Sequence, residues 1–173
     1  GYDLGPGNTK ALSDEGDESL FSQIRTLMKN YDDAIILPTD FAIDNNGTRK
    51  ELKLDDLPVN QALFDIGSET IKEYQKVLNQ AKTIFLSGPC GVFEEEIFMK
   101  GTKEIFSFVS ESDAFSIVGG GHTVAAVKQL NLQDKISHIS TGGGSLEKFM
   151  MGEKLPVLEA LKQAKMRQTN AIH

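Results

Sequence analysis

A chain of 173 residues, 39% of them hydrophobic, suits one compact domain with a sizeable core and excludes an intrinsically disordered protein. Its formal net charge of -7 repels nucleic-acid backbones and acidic membrane surfaces, so neither is expected as a partner and any bound anion must be held by local geometry. The single cysteine, Cys90, cannot close an intramolecular disulfide, and with no signal peptide or long apolar run it points to a reducing, cytoplasmic setting.

The sequence opens Gly1-Tyr2-Asp3 without an initiator methionine, as expected of a fragment, a processed product or one part of a longer polypeptide. Residues Gly1 to Glu18 are rich in Gly, Asp and Ser and contain Pro6, which predicts a loop or frayed start. Ser19 is then a candidate cap for a helix whose Leu20, Ile24, Leu27 and Met28 share one face. The apolar run Ala34 to Leu37, stopped by Pro38, predicts a buried strand. Phe41 to Asp44 and Arg49 to Leu54 flank Asn45-Asn46-Gly47, and the Asn-Gly pair predicts a small hairpin.

Ala62 to Ile66 ends at Gly67, and Ser68 is placed to cap a helix carrying Ile71, Tyr74, Leu78 and Ala81 at helical spacing. Thr83 to Leu86 reads as a buried strand, and Ser87-Gly88-Pro89-Cys90-Gly91 as an irregular loop, because Pro89 lacks an amide and the glycines permit unusual dihedrals. A helix is expected from near Glu94 or just after Gly101. Phe115 to Val118 is the next strand, followed by three glycines and a helix from Thr123 to Leu130. The unit repeats with a strand at Ile136 to Ile139, carrying His138 in the core, a turn at Thr141 to Gly144, and a helix start at Ser145 to Met150. The polar tail Lys162 to His173 either packs or hangs free.

Buried strands alternating with helices imply right-handed parallel crossovers. The expected fold is therefore α/β, a three-layer α/β/α arrangement with a mostly parallel Rossmann-like sheet. Ligands in such sheets sit at the carboxyl ends of the strands, which puts the loops after Leu86, Val118 and Ile139 on one rim. No tandem repeat or low-complexity tract is present, which excludes a solenoid.

In Gly119-Gly120-Gly121-His122-Thr123 the glycines let backbone approach an anion, while the following helix offers unpaired amides and its positive end. The competing reading is a tight connection that needs glycine for packing. The turn is neither a Walker A sequence nor a Gly-x-Gly-x-x-Gly dinucleotide fingerprint. A second triple glycine, Thr141-Gly142-Gly143-Gly144-Ser145, follows the next strand and weighs toward phosphate, since two amide-rich turns on one rim can hold two parts of a polyphosphate. Gly88-Pro89-Cys90-Gly91-Val92-Phe93-Glu94 mixes rigid, flexible and apolar positions, a composition suited to the wall of a flat heterocycle pocket, and Glu94 can accept hydrogen bonds from ribose hydroxyls. Against that, Glu95 and Glu96 follow, and charge runs are mostly solvated faces. Cys90 has no Cys-His-Asn partner set and is not expected to be catalytic. His122 lies in the glycine turn and His173 at the terminus, so no metal cluster follows from the histidines. Lys10, Lys128, Lys135 and Lys148 read as surface residues.

Taken together these segments resemble the carboxy-terminal, nucleotide-binding half of phosphoglycerate kinase. The matching run is Asp65-Ile66-Gly67, Ala81-Lys82-Thr83, Ser87-Gly88-Pro89-Cys90-Gly91-Val92-Phe93-Glu94, Gly101-Thr102, Phe115 to Val127, Asp134 to Ser145, and Leu155-Pro156. The resemblance implies transfer of a phosphoryl group from 1,3-bisphosphoglycerate to ADP, giving 3-phosphoglycerate and ATP with Mg2+. It further implies that Glu94 holds the ribose and that the Gly88-Pro89 to Val92 wall holds the adenine. Gly119, Gly120, Gly121, His122 and Thr123 would surround the nucleotide phosphates, and Gly142, Gly143 and Gly144 would donate amides to the phosphoryl in transit. Many members carry Asp where His122 stands and Asn where Ser87 stands. An imidazole does not hold magnesium as a carboxylate does, so the protein ligand of the metal stays open. Ser87, His122 and Cys90 resemble the archaeal branch.

The family's amino-terminal substrate domain, with its basic pocket, and its Gly-Gly-Ala-Lys motif have no match in the sequence. The expectation is thus a partial nucleotide-binding domain, residues 1–173, that meets 1,3-bisphosphoglycerate or 3-phosphoglycerate only through an absent domain and does not turn over alone. Two other readings stand beside it. A Rossmann-type NAD-dependent oxidoreductase needs the dinucleotide fingerprint that is missing, and a non-catalytic nucleotide-binding module would share every binding feature. Oligomeric state is not fixed by the sequence.

Overall fold

Pro6 begins a helix where the sequence predicts a loop. In the computed structural model, which describes residues 2–15 and 18–170, α1 spans Pro6–Glu15. Proline at a first helical position loses no hydrogen bond and has its φ already set for the helix. Gly5 turns the chain into it at φ +91°, its amide donating to Asp3 Oδ1 at 2.9 Å. The expected second helix is α2, Glu18–Tyr31, with Ser19 inside it rather than before it. Its periodic face is not covered: Leu20, Ile24 and Leu27 are each about half exposed.

The predicted strand at Ala34 to Leu37 does not form. Ala34 closes a 3-10 turn, Asp32–Ala34, and Ile35 to Pro38 pair with no strand among the described residues. Ile36 and Leu37 are about half exposed. A short apolar run becomes a strand only if a neighbouring strand supplies its ladder, and among the described residues none does; the Ile36 carbonyl accepts from the Tyr74 hydroxyl instead, at 3.2 Å.

The chain divides into two compact units, Gly1–Lys82 with Pro89–Ala114, and Thr83–Gly88 with Phe115–His173. In the first, β1 (Asp40–Asp44) lies between β2 (Arg49–Lys53) and β3 (Leu63–Ile66), all antiparallel. The predicted hairpin joins β1 to β2. Asn46 and Gly47 take φ of 54° and 82°, the pair of left-handed residues that matches strand twist in a two-residue turn. Besides α1 and α2 the unit holds α3 (Ser68–Leu78) and α4 (Lys100–Glu111). Ser68 is the first residue of α3, not its cap. The cap comes from across the fold, where the buried Asp40 carboxylate accepts the Glu69 and Thr70 amides at 2.9 and 2.8 Å. That approach requires Gly67, since a Cβ there would collide with the same carboxylate. Ala42, Ile71, Phe98, Phe106 and Val109 fill the core.

The second unit holds the parallel sheet β4-β5-β6, made of Thr83–Ser87, Phe115–Gly119 and His138–Ile139. Its helices are α5 (Gly121–Gln129), α6 (Gly144–Met150) and α7 (Pro156–Asn170). The α/β class and the parallel Rossmann-like sheet are thus as expected. Burial alternates along the strands instead of being continuous: Ile84, Leu86, Ser116 and Val118 are buried, while Thr83, Ser87 and Phe115 are exposed. β6 is shorter than the run from Ile136 to Ile139 because Ser116 and Ser137 exchange bonds from each amide to the other hydroxyl, at 3.1 and 3.0 Å. His138, predicted in the core, is exposed, as β6 is the edge strand of the sheet. The tail is helical to Asn170; Gly1 and His173 lie outside the described residues.

Candidate functional site

Register alone brings three loops to one edge of the second unit. Ser87 pairs with Gly119 and Val118 with Ile139, so β4, β5 and β6 run out together at their carboxyl ends. Gly88 at φ +94° follows the first strand and Gly120 at φ +90° the second. Both conformations are ones that side-chain-bearing residues rarely adopt.

The first glycine turn divides by role. Gly119 is a packing glycine: a Cβ there would lie 2.8 Å from Leu146 Cδ2 and 3.3 Å from the Phe85 ring. Gly121 is open, with nothing within 4 Å of where its Cβ would be. Gly120 precedes α5, whose first internal hydrogen bond runs from the Val124 amide to the Gly120 carbonyl at 3.0 Å. The amides of Gly121, His122 and Thr123 therefore precede the helical ladder, at the positive end of the helix dipole. His122 is exposed and Thr123 is buried. The Thr123 hydroxyl accepts the Gly88 amide at 2.7 Å, which ties the loop after β4 to the turn after β5.

In the second turn the Gly142 amide donates to Ser140 Oγ at 3.1 Å, an internal bond that occupies one of the three expected donors. Gly143, at φ 47°, and Gly144 have open space on their Cβ sides. Ser145 and Leu146 amides fold back onto the Gly142 and Gly143 carbonyls at 2.9 and 3.0 Å, which shapes the turn. Ser87 Oγ donates to Glu147 on α6 at 3.2 Å.

The first unit contains the other predicted residues, Pro89, Val92 and Glu94. An apolar hollow of about 370 Å³ lies there, walled by Pro38, Phe41, Phe64, Ile66, Cys90 and Val92. That volume falls within the range of small-molecule sites. Phe41 and Phe64, on β1 and β3, are functional candidates that sequence reasoning missed, since only strand pairing brings them to the loop after Pro89. Val92 is fixed by its amide, which donates to the Phe64 carbonyl at 2.8 Å, and the Cys90 amide donates to Thr102 Oγ1 at 3.1 Å. Burial, with the Asp65 charge nearby, pushes the Cys90 thiol up to about 12, so it stays protonated and unreactive, as the sequence implies. Glu94 is exposed.

Beneath this loop lies a charged network. Asp65, its side chain wholly buried, pairs with Arg49 at 2.8 Å and accepts the Gly101 amide at 2.8 Å. Burial raises the Asp65 carboxyl; the Gly101 amide and the Arg49 charge pull the other way. Glu51 accepts from the Ser68 amide and hydroxyl at 3.1 and 2.8 Å and from Lys100 Nζ at 3.2 Å. For Glu51 burial also acts upward, but those donors outweigh it and hold the carboxyl at about 2.

Among the described residues no group of three His, Cys, Asp or Glu side chains is placed to hold a metal ion. A magnesium ion carried mainly by phosphate oxygens and water needs no such cage. No described helix is long and apolar enough to cross a membrane. Gly88, Gly119 to Thr123 and Gly142 to Gly144 thus belong to one unit, and Pro89, Val92 and Glu94 to the other.

The family model for phosphoglycerate kinase matches residues 1–153. The phosphoglycerate kinase of Thermoplasma volcanium is 43% identical over 167 residues, covering 95% of this chain and 41% of that protein. The one from Thermococcus sibiricus is 45% identical over 168 residues, covering 94% and 40%. Among solved structures, phosphoglycerate kinase from Pyrococcus horikoshii OT3 superposes with a TM-score of 0.83 at 37% identity, over 93% of this chain and 40% of that one. The Coxiella burnetii enzyme gives 0.76 at 33% identity, over 83% and 39%. The chain spans about two fifths of the length of the relatives it matches.

Proposed function

Because the chain belongs to the phosphoglycerate kinase family, we propose that it supplies the ADP- and ATP-binding part of a two-domain, archaeal-type kinase. The whole protein would move a phosphoryl group reversibly between 1,3-bisphosphoglycerate and ADP, in the cytoplasm. The observation that carries this reading is the pair of glycine turns at the carboxyl edge of the parallel sheet, open at Gly121 and at Gly143-Gly144.

Each group of residues then has a task that follows from its chemistry. The apolar hollow takes the flat base through Phe41, Phe64 and Val92, with Pro89 stiffening the loop beside it. Glu94, which is exposed, accepts from ribose hydroxyls through its carboxylate oxygens. Gly119, Gly120, Gly121, His122 and Thr123 surround the nucleotide phosphates, Gly119 by packing the turn on Leu146 and Phe85; within that set, the Gly121, His122 and Thr123 amides hold oxygens against the helix dipole, while Gly88 opens the wall on the adenine side. Gly143 and Gly144 donate to the phosphoryl in transit, and Gly142 sets the turn through Ser140. Fixed amides are suited to that step because charge spreads over three equatorial oxygens and the donors need no reorganisation. Magnesium, carried by the nucleotide, would neutralise charge on the phosphates. The acceptor, 3-phosphoglycerate, would be held by the part of the protein outside this chain, so the chain alone binds without turning over.

Substitution at the open glycines tests the reading. Titration of Gly121→Val and Gly143→Val with magnesium ADP should show weaker binding than wild type, while adenosine binding is unchanged. ADP binding unaffected by both substitutions would sink the assignment of the phosphates to these turns.

A further inference from the structure

Arg49 lies on β2, outside every motif that suggests nucleotide binding. We propose that it is a positioning residue for the base and ribose, acting through the buried Asp65 carboxylate on the loop that carries Val92 and Glu94. The inference rests on the nucleotide reading above and adds a residue that none of the motifs contains.

Both ends of the loop sit on one carboxylate. At the far end the Gly101 amide donates to Asp65 Oδ2 at 2.8 Å. At the near end Gly91 packs so closely that a Cβ would fall 2.5 Å from Asp65 Oδ1 and 2.7 Å from the Phe64 carbonyl. The next amide, Val92, donates to that same carbonyl. Asp65 itself is oriented by the Ile66 amide, 2.9 Å from Oδ1. The loop position is therefore set by where this carboxylate stands.

Arg49 determines that. Its Nη1 donates to Asp65 Oδ2 at 2.8 Å and its Nη2 to the Ile66 carbonyl at 2.7 Å, so the planar fork grips side chain and backbone at once. Nη1 also reaches the Ile97 carbonyl, in the middle of the loop, at 3.5 Å. Glu51 Oε1, 3.4 Å from Nε and 3.3 Å from Nη2, orients the guanidinium from the other side. Without the guanidinium, a wholly buried charge would lie unpaired directly under Gly91 and Gly101, and the loop would move to let water reach it. An ammonium in its place balances the charge but is a single point that cannot span the carboxylate and the carbonyl.

The test separates base and ribose from phosphate. Wild type and Arg49→Lys, the latter keeping the buried charge balanced, are titrated with adenosine, ADP and inorganic pyrophosphate, with circular dichroism melts to show that each is folded. Adenosine and ADP should bind Arg49→Lys about tenfold more weakly, while pyrophosphate affinity stays within about twofold. Gly91→Ala, which pushes the loop off the same carboxylate without touching Arg49, should give the same split. Unchanged adenosine affinity in both variants would overturn the inference and leave the nucleotide reading standing. Equal loss for all three ligands would also overturn it, showing general destabilisation. Failure of wild type to bind adenosine or ADP would refute the nucleotide reading and this inference together.

Discussion

Thr123 Oγ1 accepts the Gly88 amide at 2.7 Å, so the loops leaving β4 and β5 are bonded to each other through a buried hydroxyl. A hydroxyl in a glycine turn reads at first as a ligand group. Here its oxygen supports the turn, and its proton remains to be donated. Thr123→Val keeps the shape and removes the acceptor, and should cost about 1 kcal/mol in urea unfolding. Thr123→Ser, which keeps the acceptor, should cost less than half as much.

The glycines at 119 and 121 should respond in opposite ways. Gly119→Ala puts a methyl group 2.8 Å from Leu146 Cδ2 and 3.3 Å from the Phe85 ring, and should destabilise by about 1–3 kcal/mol. Gly121→Ala meets open space in the first turn of α5 and should leave stability unchanged or slightly raised. Paired thermal melts decide this.

Acid should weaken the protein partly through Glu51. Its carboxyl is held at about 2, below its ordinary 4.5, so the stabilisation it provides is fully present above pH 4.5 and is lost as pH falls through about 2. The stability difference between wild type and Glu51→Gln should shrink steadily from pH 5 to pH 2. Asp65, raised by burial, works in the opposite sense: what it contributes is lost as pH rises through its folded value. Its effect is common to both proteins and largely drops out of the difference. A gap that stays constant down to pH 2 would show that Glu51 is unpaired in solution.

Cys90 should be silent in the folded protein. With its half-buried thiol pushed up to about 12, an aromatic disulfide reagent at pH 8 should label it far more slowly in the native protein than in guanidinium. Equal labelling rates in the two conditions would contradict the raised thiol.

Much of the fold could be read locally. The Asn46-Gly47 hairpin, the α3 periodicity and the glycine turns after β5 and β6 all depend on residues near one another in sequence. Three local signals misled. Pro6 among glycines suggests a loop, yet proline is equally a helix opener, and the Asp3 and Gly5 turn that decides between them is not a recognisable pattern. The run Ala34 to Leu37 has strand composition, but a strand exists only with a partner, which composition does not supply. His138 reads as core because it falls mid-strand; its place at a sheet edge depends on strand order.

The candidate site divides in the same way. Its glycines stand out in the sequence because they follow strands. Phe41 and Phe64 do not, because antiparallel pairing across some twenty residues brings them to the hollow. Likewise Asp40 capping α3 and Arg49 gripping Asp65 join residues 30 and 16 positions apart. No periodicity or motif encodes such contacts; they emerge only when the chain is folded.

The proposed function requires that this chain bind an adenine nucleotide, with Glu94 on the ribose. Calorimetric titration of the chain with ADP and magnesium, repeated on Glu94→Ala, tests it most directly. Wild type should bind measurably and lose about tenfold in affinity on removal of the carboxylate, the size expected for hydrogen bonds to a charged acceptor. No heat of binding in wild type, or equal affinity in the two proteins, would contradict it.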